Sequence, residues 1–267
     1  MLTSTRSPHV ARIRRLHERK GRQQSGTFLA EGPDCVAAAI AAGWVTQVFA
    51  VPHSELAVLA KQQGIDLVEA DERVISAMAD TQSSQGVVAE CTIPNTSLTQ
   101  IVEGSGPVVV CDRLADPGNL GTIVRTAEAV GAAGVLVTQG SVDPWSPKVV
   151  RSSAGSIFRL PVATVTSAVE AVQVLRDAGW LTVALGAQAP LTVTELSHQL
   201  SHHQDDDGFS DIAWVVGSEA HGVSPEAWNA VAHRVRIPMN PAVESLNAAI
   251  SVAVSVYLCP SRSQKGT

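Results

Sequence analysis

Five polar residues stand where the surrounding pattern gives them work to do. Asn119 and Arg125 lie in Cys111-Asp-Arg-Leu-Ala-Asp-Pro-Gly-Asn-Leu-Gly-Thr-Ile-Val-Arg-Thr-Ala-Glu-Ala-Val-Gly131. Asp116-Pro117-Gly118 is a turn signal, and Asn119 reads as the N-cap of the helix that follows. Leu120, Ile123, Val124, Ala127 and Val130 recur at helical spacing and form its core face, which leaves Arg125 beside that stripe. Such an arginine either pairs with Glu128 on the surface or presents a fixed cation to an anion. Glu219 lies in Trp214-Val-Val-Gly-Ser-Glu-Ala-His-Gly-Val-Ser-Pro-Glu226, an apolar strand ending in small residues before a Ser-Pro helix start. Ligands of open parallel sheets sit beyond the carboxyl ends of strands. Gly217 there would let a ligand approach the backbone, with Glu219 at the edge; an ordinary connecting loop is the alternative, and His221 reads as a surface histidine. Ser245 and Asn247 open a helix over 244–258 that is almost free of charge. An apolar helix of that kind is buried on most sides, and its polar residues need partners. N-capping by Ser245 accounts for one of the two.

The elements that hold these residues alternate between strand and helix. A basic helix is predicted over 9–20 and a break over 21–26. Strands are expected from Phe28, at 45–51, 65–69 and 86–91, with helices at 35–42, 54–63 and 74–78. Residues 92–107 read as a linker with a short helical piece. A second series starts with the β-branched run Val108–Cys111 and continues with strands at 134–138, 159–162, 181–185, 212–216 and 235–237. Helices are expected at 119–130, 147–154, 167–177, 225–233 and 244–258. This alternation implies an α/β fold: a mostly parallel sheet with helices on both faces, preceded by a smaller α/β domain. The expected boundaries are 1–22 for a basic arm, 23–93 for the first domain, 94–106 for a linker and 107–267 for the second domain.

Composition narrows the function classes. The 267 residues are 45% apolar and 16% charged, enough for a full core and against wholesale disorder. No charge-free apolar run reaches the ~18–20 residues that span a bilayer, and the basic start lacks the apolar core of a secretory signal. Cys35, Cys91, Cys111 and Cys259 are widely spaced, which suggests reduced thiols and a cytoplasmic protein. The segment SHHQDDDGFSD at 201–211 reads as a solvated loop; a metal held by His202, His203 and Asp205–Asp207 is the weaker alternative, so no metal is expected. Neither a phosphate-binding P-loop nor a strand-following G-x-G-x-x-G is present. The net charge is −6, but residues 1–22 hold seven basic side chains against Glu18, a local +6 on a body of −12. Arg12, Arg14, Arg15, Arg19, Lys20 and Arg22 are therefore candidate contacts to an RNA or DNA backbone. The alternative is a solubilising tail.

Three stretches, in order and spacing, resemble the motifs of the SpoU (TrmH-like) RNA ribose methyltransferases of the SPOUT superfamily: NLGTIVRTAEAVG, VVGSEAHGVS and IPMNPAVESLNAAISVA. The resemblance covers about residues 107–258. Residues 9–91, with FLAEGPDCV, look like the substrate-binding domain of the ribosomal-RNA members. It implies a C-terminal deep trefoil knot, one of the rare exceptions to unknotted topology, with S-adenosylmethionine bound in the knot and a homodimer as the working form. Cofactor contacts would fall on Leu185, Gly186, Val216, Gly217, Ser218, Ile237, Met239 and Leu246. The catalytic positions would be Asn119, Arg125, Glu219, Ser245 and Asn247.

The reaction so implied is attack of a ribose 2′-hydroxyl on the sulfonium methyl, with 23S ribosomal RNA as substrate and transfer RNA as the alternative. Arg125 is the family's candidate, either as general base or as electrostatic stabiliser. A guanidinium with a pKa above ~12 rarely gives up its proton, which favours a clamp on phosphate and developing alkoxide. Asn119, Glu219, Ser245 and Asn247 would orient it or hold the nucleotide. Two other classes compete. A non-catalytic RNA-binding protein with a vestigial knot domain would have no use for an intact Asn119, Arg125, Glu219 and Asn247. A nucleotide-dependent oxidoreductase would need the missing glycine fingerprint.

Overall fold

A computed structural model describes residues 1–81, 85–202 and 211–260. Its first elements are α1 (Pro8–Arg15), α2 (Arg19–Ser25), β1 (Thr27–Glu31), α3 (Pro33–Ala41), β2 (Val45–Ala50), α4 (Glu55–Gln62), β3 (Asp66–Glu69), α5 (Glu72–Met78) and β4 (Val87–Thr92). There follow α6 (Leu98–Val102), β5 (Val108–Asp112), α7 (Pro117–Ala129), β6 (Gly134–Thr138), α8 (Pro147–Ser152), β7 (Val162–Val165), α9 (Ala168–Asp177) and β8 (Leu181–Leu185). The chain closes with β9 (Leu191–Thr192), α10 (Val193–His202), β10 (Ile212–Gly217), α11 (Pro225–Ala230), β11 (His233–Arg236) and α12 (Ala248–Leu258). Two compact units form: Met1–Asn95 with Asp143–Arg159, and Thr96–Val142 with Leu160–Thr267.

In the first unit β4 runs antiparallel to β1 and β2, while β3 joins β2 in parallel. The expected basic arm is not a free tail. Leu2 pairs beside Ala70, and Ser7 caps α1 by accepting from the Val10 N–H. Val10, Ile13 and Leu16 pack against Phe49, Ile75 and Met78. The expected break over 21–26 is helix α2 up to Ser25, closed by Gly26 at φ 69°. Arg22 is corrected as an RNA contact: it is buried, ion-paired to Asp143 at 2.6 Å, and donates to the Leu16 and His17 carbonyls. Arg12 is engaged by Glu90 and by Gln47 Oε1 at 2.5 Å. Arg14, Arg15, Arg19 and Lys20 face solvent.

Residues 143–159 also differ from the expected boundaries, because their aromatic side chains are part of this unit's core. Trp145 and Phe158 lie 5.1 and 5.9 Å, centroid to centroid, from Phe28, and Trp44 completes the cluster. A 3-10 turn at Ser156–Phe158 delays the following strand, so β7 begins at Val162 rather than 159.

The second unit is built on a seven-stranded sheet, ordered β7-β6-β5-β10-β8-β11-β9 and parallel throughout. β5, β6 and β10 are buried along their whole length, as expected of central strands covered on both faces. The predicted α7 stripe is buried at Leu120, Ile123, Val124, Ala127 and Val130. Two elements were not anticipated: β9, and α10 over residues partly read as loop. A reciprocal box starts α10, with Thr192 N–H donating to Glu195 Oε2 at 2.7 Å and Glu195 N–H to Thr192 Oγ1 at 3.2 Å. Most of the acidic, histidine-rich segment, 203–210, lies outside the described residues. Among the described residues no group of three or more His, Cys, Asp or Glu is arranged to hold a metal ion. No described helix is long and apolar enough to cross a membrane.

Candidate active site

A cavity of ≈ 510 Å³ opens beyond the carboxyl ends of β8, β10 and β11, within the ~300–1,000 Å³ range of small-molecule sites. Leu185, Gly186, Val216, Gly217, Ser218, Ile237, Met239 and Leu246 all line it, together with Glu219 and Ser245. Sequence reasoning missed several wall residues, among them Gln188, Trp228 and Ser251; His221 is exposed, as expected, and also borders the cavity. Gly186 makes room for Trp228: a Cβ at that glycine would stand 2.6 Å from the indole ring. Arg236 fixes the nearby rim by donating to the Ala189 and Pro190 carbonyls at 2.7 and 2.6 Å.

Gly217 has a further use besides lining the cavity. A Cβ there would meet the Gly222 carbonyl carbon at 1.9 Å, so the glycine also admits the Ser218–Gly222 turn. That turn is closed by Gly222 N–H to Ser218 O at 2.8 Å and by His221 N–H to Ser218 Oγ at 3.2 Å. It presents Glu219 outward at the cavity edge.

Two caps are corrected. Asp116 caps α7, accepting the Asn119 N–H at 2.8 Å. The Asn119 side chain is thereby released from capping and donates to Glu219 Oε1. Asn247, not Ser245, caps α12, its Oδ1 accepting from Ala249 and Ile250 at 3.0 and 3.3 Å. Its Nδ2 donates to Asn119 Oδ1 at 2.8 Å. Asn247, Asn119 and Glu219 form one hydrogen-bonded row. Ser245 is exposed on the cavity wall. Arg125 is exposed on α7, is not part of that wall, and makes no hydrogen bond or ion pair among the described residues. α12 is less buried than expected, with Ile250, Tyr257 and Leu258 exposed.

The SpoU rRNA Methylase family model matches residues 106–257, more than half of the sequence. The chain belongs to that family. An MRM3-like substrate binding domain matches residues 7–89 of this SpoU protein. It is 36% identical to an uncharacterized tRNA/rRNA methyltransferase of Synechocystis, covering 96% of this chain and 92% of that one. It is 28% identical to the 23S rRNA (guanosine(2553)-2′-O)-methyltransferase of Bacillus subtilis, covering 96% and 97%. Among solved structures, an AdoMet-bound rRNA methyltransferase from Sinorhizobium meliloti aligns with a TM-score of 0.84 at 29% identity, over 97% and 96% of the chains. The AdoMet complex of the SpoU methyltransferase AviRb from Streptomyces viridochromogenes aligns at 0.81 and 28%, over 95% and 97%.

Proposed function

We propose that this protein methylates a ribose 2′-hydroxyl of 23S ribosomal RNA with S-adenosylmethionine as donor. The observation that carries the reading is one cavity walled by all eight family cofactor positions, with Glu219 of the amide–carboxylate row at its edge. The walls suit the donor: Leu185, Val216, Ile237, Met239 and Leu246 are apolar, while Ser218 and Ser245 supply hydroxyls. When bound, S-adenosylmethionine supplies a methyl group already activated by a cationic sulfur.

The chain's own residues then have positioning and charge to provide. The Asn247–Asn119–Glu219 row holds the carboxylate in one orientation against the ribose. Arg125 stabilises phosphate and the developing alkoxide as a fixed cation. Exposed Arg14, Arg15, Arg19 and Lys20 of the first unit bind RNA backbone, in keeping with the substrate-binding domain matched there. A knotted topology, as the family resemblance implies, would bring Ile237, Met239 and Leu246 around the donor. Homodimerisation covers Ile250, Tyr257 and Leu258. The four cysteines are buried and form no disulfide, which agrees with a cytoplasmic setting. Ribosomal RNA is favoured over transfer RNA by the family match and by relatives of near-equal length named for 23S rRNA.

The test offers radiolabelled S-adenosylmethionine with transcripts of 23S rRNA and of tRNA. Label in the rRNA, as alkali-resistant ribose, is the expected result; label in tRNA alone, or in neither, overturns the reading.

A further inference from the structure

Arg113 sits at the carboxyl end of β5 with φ 54°, a left-handed conformation that glycine or asparagine adopts with far less strain. Buried hydroxyls hold it there. Its N–H donates to Thr138 Oγ1 at 2.9 Å, and the next N–H, of Leu114, donates to Ser141 Oγ at 3.1 Å. Ser141 Oγ in turn donates to the Cys111 carbonyl at 3.3 Å. Thr138 and Ser141 are both buried, so this network shapes one turn and serves no solvent-facing purpose. The outcome is an arginine side chain that is 47% exposed.

An ion pair with Asp112 occupies only one edge of the guanidinium. The buried Asp112 carboxylate accepts the Ser224 N–H at 2.7 Å, and Arg113 pairs with it through Nε at 3.6 Å, within ion-pair range but beyond hydrogen-bond length. The two terminal nitrogens of the guanidinium make no hydrogen bond among the described residues. They form a planar, rigid fork suited to a phosphate. Asp112 and Ser224 couple its position to the loop that carries Glu219. Arg113 is absent from the cavity wall, so the donor's carboxylate is not its partner.

We infer that Arg113 is a phosphate-contacting residue that registers the RNA substrate on the second unit; this rests on the RNA reading above. The experiment measures binding of an in-vitro 23S rRNA transcript to the full-length protein across a potassium chloride series, beside calorimetry with S-adenosylmethionine. Arg113→Gly and Arg113→Asn both suit a positive φ, so folding should hold, with melting temperatures within about 2–4 °C of wild type. Both should weaken RNA binding about tenfold, as expected when one charge-assisted hydrogen bond is removed, and reduce the log–log salt slope by about 1. Arg113→Lys should keep the slope. S-adenosylmethionine affinity should not change. An unchanged slope in the glycine and asparagine variants overturns the inference, as does loss of S-adenosylmethionine affinity with RNA binding intact, which would assign Arg113 to the donor's carboxylate. A wild-type protein that fails to bind the transcript defeats the RNA reading itself, and this inference with it.

Discussion

Asn247 donates its side-chain amide to the carbonyl of Asn119 at 2.8 Å, although 128 residues separate the two in the chain. The orientation of the whole row follows from valence. Asn247 Oδ1 is committed to the first N–H groups of α12, so its NH₂ must face Asn119. Glu219 as a carboxylate can only accept, so Asn119 must turn its own NH₂ toward it. No member can flip without placing like against like.

The first prediction follows from that row. Asn119→Asp sets a second carboxylate against Glu219, and their mutual repulsion raises the pH at which one of the two takes a proton. Methyl transfer at pH 8 should fall about 10²-fold, the scale of losing one preorganised donor, and should partly recover toward pH 6 as one carboxyl takes a proton. A loss of rate that does not vary with pH would show that the row is structural only.

Arg125→Ala isolates charge stabilisation from donor binding. Arg125 is exposed beside the buried stripe of α7, so the variant should fold normally and bind S-adenosylmethionine as wild type does. Its single-turnover rate should drop by about 10²–10³, and Arg125→Lys should recover little of it. Full activity in the alanine variant would make Arg125 an ordinary surface cation.

The basic N-terminal residues should separate into two kinds. Arg22→Ala leaves Asp143 and two backbone carbonyls without their buried donor, and should destabilise the first unit by about 3 kcal/mol in urea unfolding. A joint alanine substitution of Arg14, Arg15, Arg19 and Lys20 should barely change stability. It should nevertheless lower the salt slope of RNA binding by about 0.7–0.9 for each phosphate that is no longer neutralised. The reverse pattern would contradict the burial described for Arg22.

The thiols give a pH prediction. Burial pushes Cys35 up to about 11 and Cys111, beside Asp112, up to about 12, from an ordinary 9.0. The unfolded chain therefore ionises first. Their contribution to stability is complete below about pH 9 and is lost progressively toward pH 11–12. Melting temperature should decline over that window, and native protein at pH 8 should resist iodoacetamide. Rapid alkylation without denaturant would contradict the buried placement.

Much of this was legible in the sequence, for physical reasons particular to each residue. The α7 stripe and the run Val108–Cys111 follow from local periodicity, which survives folding unchanged. The cavity residues came from motif resemblance. What stayed hidden depends on partners distant in the chain. Arg22 reads as one more cation until Asp143 is brought beside it. Trp145 and Phe158 look like part of the second unit until Phe28 and Trp44 surround them. Gly217 reads as an opening for a ligand, and its second use, making room for Gly222, shows only once the turn is folded. Asn119 looked like a cap because asparagine caps well; Asp116, three residues earlier, takes that role and leaves the amide for Glu219.

The central claim, transfer of a methyl group to a ribose of 23S ribosomal RNA, is tested most directly by mass-spectrometric mapping of ribose methylation. Total RNA from cells with and without this protein would be digested and compared nucleotide by nucleotide. The expected result is one 2′-O-methylated nucleotide in 23S rRNA that disappears without the protein and returns with the wild-type chain but not with Arg125→Ala. An identical rRNA methylation map in both cells, or a difference confined to transfer RNA, would contradict the account.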